Sequence, residues 1–132
     1  MTDRYFDDFA VGDTLETGTT LVSEADIVDF ARSFDSQPWH LDAHAAASST
    51  FKGLVASGWH TTAITMRLLV DSGVLRATGV LGLGVDELRW LRPLRPGTTL
   101  RVRGEVRSLE QPAPGRHAGT MRVHLTAIDQ NG

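Results

Sequence analysis

An aspartate and a histidine five residues apart, Asp35 and His40, are the side chains best suited to chemistry in this chain. A carboxylate beside an imidazole is a general acid–base pair. The carboxylate raises the basicity of the ring and orients it, and either group can hold a water between them. Pro38 disfavours helical geometry at Gln37, so Asp35–His40 reads as a loop. Spacing alone leaves a second reading open: a solvated loop carboxylate and an unrelated histidine. Gly58 is the next feature, placed where a connector becomes an apolar helix. Free N–H groups at a helix start favour negative charge. They can form an oxyanion hole for a carbonyl that gains charge. Glycine also lets a ligand approach the backbone closely. The plainer reading is a helix start with Ser57 or Gly58 as its cap.

Other constellations are weaker. The string His40-Leu41-Asp42-Ala43-His44 has two histidines four apart, as a divalent ion shared on a helix would need. Asp42 is better explained as a helix cap, and no third ligand is implied, so no metal site is assigned. His60 is either a polar group at a pocket mouth or a satisfied core histidine, with the second preferred. His117 falls in a turn and His124 on a polar strand face, which makes both surface residues. Ser57-Gly58 and Ser72-Gly73 lack the elbow of serine hydrolases. Gly79, Gly82 and Gly84 precede no helix of a βαβ unit, so no dinucleotide or phosphate loop is indicated. Trp39, Trp59 and Trp90 read as core or pocket wall rather than as platforms for bases.

These groups need elements to hold them. Asp13–Val22 predicts a first strand. Ser23 with Asp26 three residues on is a capping-box-like start, although that bond prefers Glu or Gln. Ile27, Phe30, Ala31 and Phe34 follow at helical spacing. Asp42 predicts a short helix over Ala43–Ser48. Trp59–Ser72 carries Trp59, Ala63, Met66 and Val70 on one face and Ile64, Leu68 and Leu69 on another, the pattern of a buried helix, stopped by Gly73. Leu100, Val102 and Val106 alternate with charged residues, as do Met121, Val123, Leu125 and Ala127 with polar ones. Both read as strands with one buried face. Leu81–Leu91 predicts a less regular strand, with turns at Pro93–Gly97 and Pro112–Gly115. The fold class is α+β, one domain over 1–132, with an antiparallel sheet around one long helix. Such a sheet leaves edges and part of a face to cover, so dimerisation is expected.

Composition narrows the function further. The 132 residues suffice for one core. With 41% hydrophobic and 22% charged residues, disorder is excluded. The absence of cysteine removes disulfides, thiolate catalysis, Cys-ligated zinc and iron–sulfur clusters, and fits a cytoplasmic location. The acidic opening MTDRYFDDFAVGD is not a signal peptide, and no window reaches the roughly 20 apolar residues of a membrane span. A net charge of −3 disfavours broad nucleic-acid binding. Residues 1–66 hold ten acidic and three basic residues, and 67–132 hold six and ten. This asymmetry reads either as solvated strand faces or as a basic rim for an anionic small molecule.

The run FDSQPWHLDAHAAASSTFKGLVASGWHTTA resembles the signature of the MaoC-like dehydratases, the R-specific enoyl-CoA hydratase group of the hot dog fold. That signature is an Asp, two residues, a Pro, one residue and His-x-Asp, then a Phe and an Ile/Val-x-His-Gly segment. Asp35, Pro38, His40, Asp42, Phe51, Val55 and Gly58 match it without a gap. Phe9–Asp13 and Leu91–Gly97 are similar to the family as well. The resemblance implies a hot dog fold assembled as a homodimer or higher oligomer. It implies that Asp35 and His40 activate water for addition to a trans-2-enoyl thioester, giving the R-3-hydroxyacyl thioester, or for the reverse dehydration. It implies that Gly58 N–H polarises the thioester carbonyl. Ser57, Trp59, His60, Pro38 and Trp39 flank these groups and are the expected substrate-binding residues. No cofactor is expected, because the CoA or the phosphopantetheine of an acyl carrier protein belongs to the substrate. Gln37 stands where the family usually has Asn, Ser57 replaces its His, and Met66 lies near a small polar residue of some hydratases. The last two bear on acyl-chain choice. Asn131-Gly132 favours a hairpin turn, after which similar proteins have one more strand, so either a trimmed sheet edge or a shortened sequence is expected. A hot dog thioesterase and a non-catalytic thioester-binding subunit are the alternative functions.

Overall fold

Ser23 turns the chain from strand to helix, and its capping box is complete in the computed structural model, which describes residues 4–75 and 80–132. Gly79, grouped above with Gly82 and Gly84, lies outside those residues. Asp26 N–H donates to Ser23 Oγ at 3.1 Å, and Ser23 N–H donates to Asp26 Oδ2 at 3.2 Å. The shorter Asp thus closes the box expected of Glu, and such a cap contributes about 1 kcal/mol. The strand before it, β1, spans Thr14–Val22, and the helix after it, α1, spans Glu24–Phe34. Ile27 and Ala31, one face of α1, are fully buried.

The chain then makes two small helices, α2 at Pro38–Leu41 and α3 at Ala43–Ala47. The loop expected over Asp35–His40 is therefore only Asp35–Gln37. Pro38 occupies the first helical turn, where its fixed φ suits the helix and its missing N–H has no partner to lose. Asp42 caps α3 by accepting from His44 N–H at 2.9 Å. The long helix α4 covers Gly58–Asp71, with Ser57 as its cap. It ends at Gly73, whose φ of 78° is the left-handed geometry that stops a helix.

Strands β2 (Thr98–Glu110) and β3 (Thr120–Ile128) complete an antiparallel sheet in the order β1-β2-β3. The β1–β2 register shifts between Glu16 and Thr19, and there Thr17 Oγ1 accepts from Val102 N–H at 2.9 Å in place of a carbonyl. Helix α4 lies across all three strands. The core between them holds Val22, Ile27, Leu54, Leu68, Leu100 and Val102. Full burial of each such side chain contributes about 1.5–3 kcal/mol. The architecture is α+β, as the hydrophobic patterns predict.

Two expectations change. Leu81–Leu91 pairs with no strand; β1, β2 and β3 pair only with one another among the described residues. A strand exists only with a ladder partner. This segment is instead tethered by side chains, including an Arg122–Asp86 ion pair at 2.9 Å. Helix α4 is also not buried all round. Trp59, Ala63, Met66 and Val70, the stripe expected inside, face outward, and Leu81, Leu83 and Val85 are exposed too.

Candidate active site

Asp35 and His40 come together although separate elements carry them. Asp35 is the C-cap of α1, its N–H donating to Ala31 O at 2.8 Å. His40 sits in α2 and is buried. His40 Nε2 lies 3.3 Å from Asp35 Oδ2, and the other ring nitrogen, Nδ1, lies 2.6 Å from the carbonyl of Val55. A carbonyl only accepts, so Nδ1 carries the hydrogen. When the ring is neutral it turns a bare Nε2 lone pair toward the carboxylate, and when protonated Nε2 donates to it. Two acceptors facing each other need a proton between them or a donor such as water that serves both.

Asp35 is held from its other side by two groups. Gln37 Nε2 donates to Oδ1 at 2.6 Å, and the Ser57 hydroxyl also bonds the carboxylate. Partial burial pushes the Asp35 pKa up, but these hydrogen bonds and the charge on a protonated His40 outweigh it. The net result lies below the usual aspartate value, so Asp35 is a carboxylate near neutrality. Gln37 and Ser57, two of the family departures noted above, are thus hydrogen-bond partners of the Asp35 carboxylate. Ser57, one of the expected substrate-binding residues, is 0% exposed and also accepts from Trp59 N–H at 3.3 Å. It brings Asp35 to the nose of α4. No local signal in the sequence reveals that bond, since 22 positions separate the partners.

Gly58 opens α4. A Cβ built there would fall 2.6 and 2.8 Å from Cε2 and Cε3 of Trp90, so a larger residue here requires this indole or the helix start to move. Trp59 stands edge-on to Trp90 with ring centroids 5.2 Å apart. Pro38 is exposed, whereas Trp39 packs against the core and Phe51, its ring 6.0 Å away.

His60 is buried, but it is not the satisfied core histidine expected. Its ring stacks on Phe30 at 4.7 Å, and its Nδ1 has no hydrogen-bond partner among the described residues. It lines a groove of about 390 Å³ between β1, α1 and α4, with Thr20, Asp26, Ile64 and Arg67. Asp35, His40 and Gly58 do not line that groove. Burial lowers the His60 pKa, and the nearby Asp26 carboxylate offsets this only in part. The native state therefore binds this proton less readily than the unfolded chain does. Stability falls as pH drops below the ordinary histidine value. A second loss follows at lower pH, where protonation removes the stabilisation of the depressed Asp35 and Asp26 carboxylates. Urea midpoints measured between about pH 8 and pH 4 are expected to show both steps, and His60→Phe to remove the first while leaving most of the second.

A family model described as MaoC like domain matches residues 8–128. A solved MaoC-like dehydratase from Rhodospirillum rubrum is 45% identical, with a TM-score of 0.88, covering 96% of this chain and 86% of that one. The R-hydratase PhaJ1 from Pseudomonas aeruginosa, in its unliganded form, is 31% identical with a TM-score of 0.61, covering 96% of this chain and 76% of that one. The uncharacterized protein YdeM of Bacillus subtilis (strain 168) is 30% identical over 124 residues, which are 94% of this chain and 86% of that protein.

Proposed function

The chain belongs to the MaoC like domain family, and on that premise we propose that it adds water reversibly to trans-2-enoyl thioesters, of CoA or of an acyl carrier protein, to give R-3-hydroxyacyl thioesters. One observation carries this reading: Nε2 of His40 and the Asp35 carboxylate meet 3.3 Å apart. A water that donates to both turns its oxygen lone pairs outward, toward the β-carbon of the enoyl group. Its proton passes to the pair as the C–O bond forms, and the pair returns a proton to the α-carbon. Charge that gathers on the thioester oxygen meets the N–H of Gly58 at the start of α4. One such donor contributes roughly 3–4 kcal/mol to lowering the barrier. A dehydratase and an R-hydratase among the similar structures support the reaction class.

We further propose a homodimer. Ala63, Met66 and Val70 on α4 and Leu81, Leu83 and Val85 are exposed apolar residues of the kind a second copy would cover. A second copy covering them would bring new walls up to Trp59 and Gly58.

The test is loss of enoyl absorbance with 2-enoyl thioesters of increasing chain length, on CoA and on carrier protein. Conversion to the R-3-hydroxy product is expected. Thiol release from saturated acyl-CoA without hydration would replace this reading with a thioesterase, and acyl-CoA binding without turnover would leave a carrier subunit.

A further inference from the structure

We propose that Trp90 sets which acyl groups fit at Gly58, by excluding thioesters substituted at carbon 2. The inference rests on the hydratase reading above and names the substrate class of that same site.

The indole is fixed rather than loosely laid on the helix. Its Nε1–H donates to Thr62 Oγ1 at 3.1 Å, and that hydroxyl donates to the carbonyl of Gly58 at 3.2 Å. The relay ties the ring to the residue whose N–H would hold the substrate. The ring fills the position a Cβ would take, within 2.6 Å of that point at Cε2. Trp59 braces it edge-on at 75°. Both indoles keep an open side, with exposures of 47% for Trp90 and 58% for Trp59. Two exposed indoles thus stand at the first turn of α4, beside Gly58.

Position decides what these rings discriminate. An oxygen held by an N–H lies about 2.9 Å from the nitrogen, and its carbon is about 1.2 Å further on. Carbon 2 is the next atom along the acyl chain. The ring that abuts Gly58 is therefore close to carbon 2 and far from the tail. A flat, unbranched enoyl group passes along the indole face. A methyl on carbon 2 widens that plane toward the ring, which Thr62 and Trp59 keep from yielding. Chain length is not what Trp90 reads.

Hydration of crotonyl-CoA and 2-methylcrotonyl-CoA by the whole protein tests this. The wild type is expected to favour the unbranched substrate in kcat/KM by about 10- to 200-fold, the range for one methyl group in a pocket. Trp90→Ala is expected to narrow that ratio at least about tenfold, mainly through KM. Trp90→Phe and Thr62→Val, which keep a ring in place, are expected to narrow it by less and guard against misfolding of the alanine variant. Competitive inhibition by saturated 2-methylbutanoyl-CoA against butanoyl-CoA reports the same discrimination without turnover. An unchanged ratio in every folded variant overturns the role of Trp90 and leaves the hydratase reading intact. No hydration of either substrate by the wild type overturns the hydratase reading and the inference with it.

Discussion

Asp35→Asn is expected to lower hydration of crotonyl-CoA at least about a hundredfold while the protein stays folded, in line with the roughly 10²–10⁴-fold that general acid–base groups supply. The amide keeps the shape of the carboxylate, so its bonds to Gln37 and Ser57 survive at least in part. What changes is the face toward His40. A carboxylate oxygen can accept from a water there, whereas an amide nitrogen would donate to a neutral Nε2 and seal the gap. His40→Ala loses a comparable factor and also unsatisfies the carbonyl of Val55, at a stability cost of about 1–3 kcal/mol. His40→Gln offers a donor to that carbonyl and separates the two effects. Turnover and thermal melting of all three variants decide the matter. Near-wild-type turnover in both Asp35→Asn and His40→Gln would remove the pair from the mechanism.

Gly58→Ala produces the second large effect, and its sign is diagnostic. Alanine in an ordinary helix is about 1 kcal/mol better than glycine, so a plain helix start would be neutral or slightly stabilised. Here the new Cβ meets Trp90. The ring must leave, breaking its bond to Thr62, or the nose of α4 must shift. Either outcome moves the N–H that would receive the thioester oxygen. Activity is expected to fall about 10²- to 10³-fold, the loss seen when one oxyanion donor is removed, with a lowered melting temperature and altered tryptophan fluorescence. Gly58→Ala combined with Trp90→Ala restores the room and recovers stability. An active, more stable Gly58→Ala would falsify the close fit described here.

Local chemistry was legible where neighbours along the chain do the work. Ser23 and Asp26 announced α1, Asp42 announced α3, and the alternation of Leu100, Val102 and Val106 announced β2. The Asp35–His40 pair was legible because a family signature marks it, not because a spacing of five requires contact. What escaped is tertiary. The bond between Ser57 and Asp35 and the seat of Trp90 on Gly58 join residues far apart in the chain, and no periodicity encodes them. Hydrophobicity also could not say which partner covers it. The Trp59–Val70 stripe and Leu81–Leu91 have the composition of buried elements, yet within one chain they lie open. Pro38 ends one helix and begins the next with the same ring geometry, so His40 lies in α2 rather than in the loop that the proline suggests.

The imidazole is suspended from main chain at residue 55. Val55 N–H donates to the carbonyl of Trp39 at 3.1 Å, and Val55 O receives His40 at 2.6 Å, while Ala56 N–H is fastened to Leu94 O at 2.8 Å. Every amino acid brings a carbonyl, so spelling changes at this position leave the hook in place. Slippage does not: one residue gained or lost between 41 and 54 would present a neighbouring peptide group and tilt the ring off its aspartate. Homologues that retain the chemistry should therefore vary in letters across that span while keeping its length.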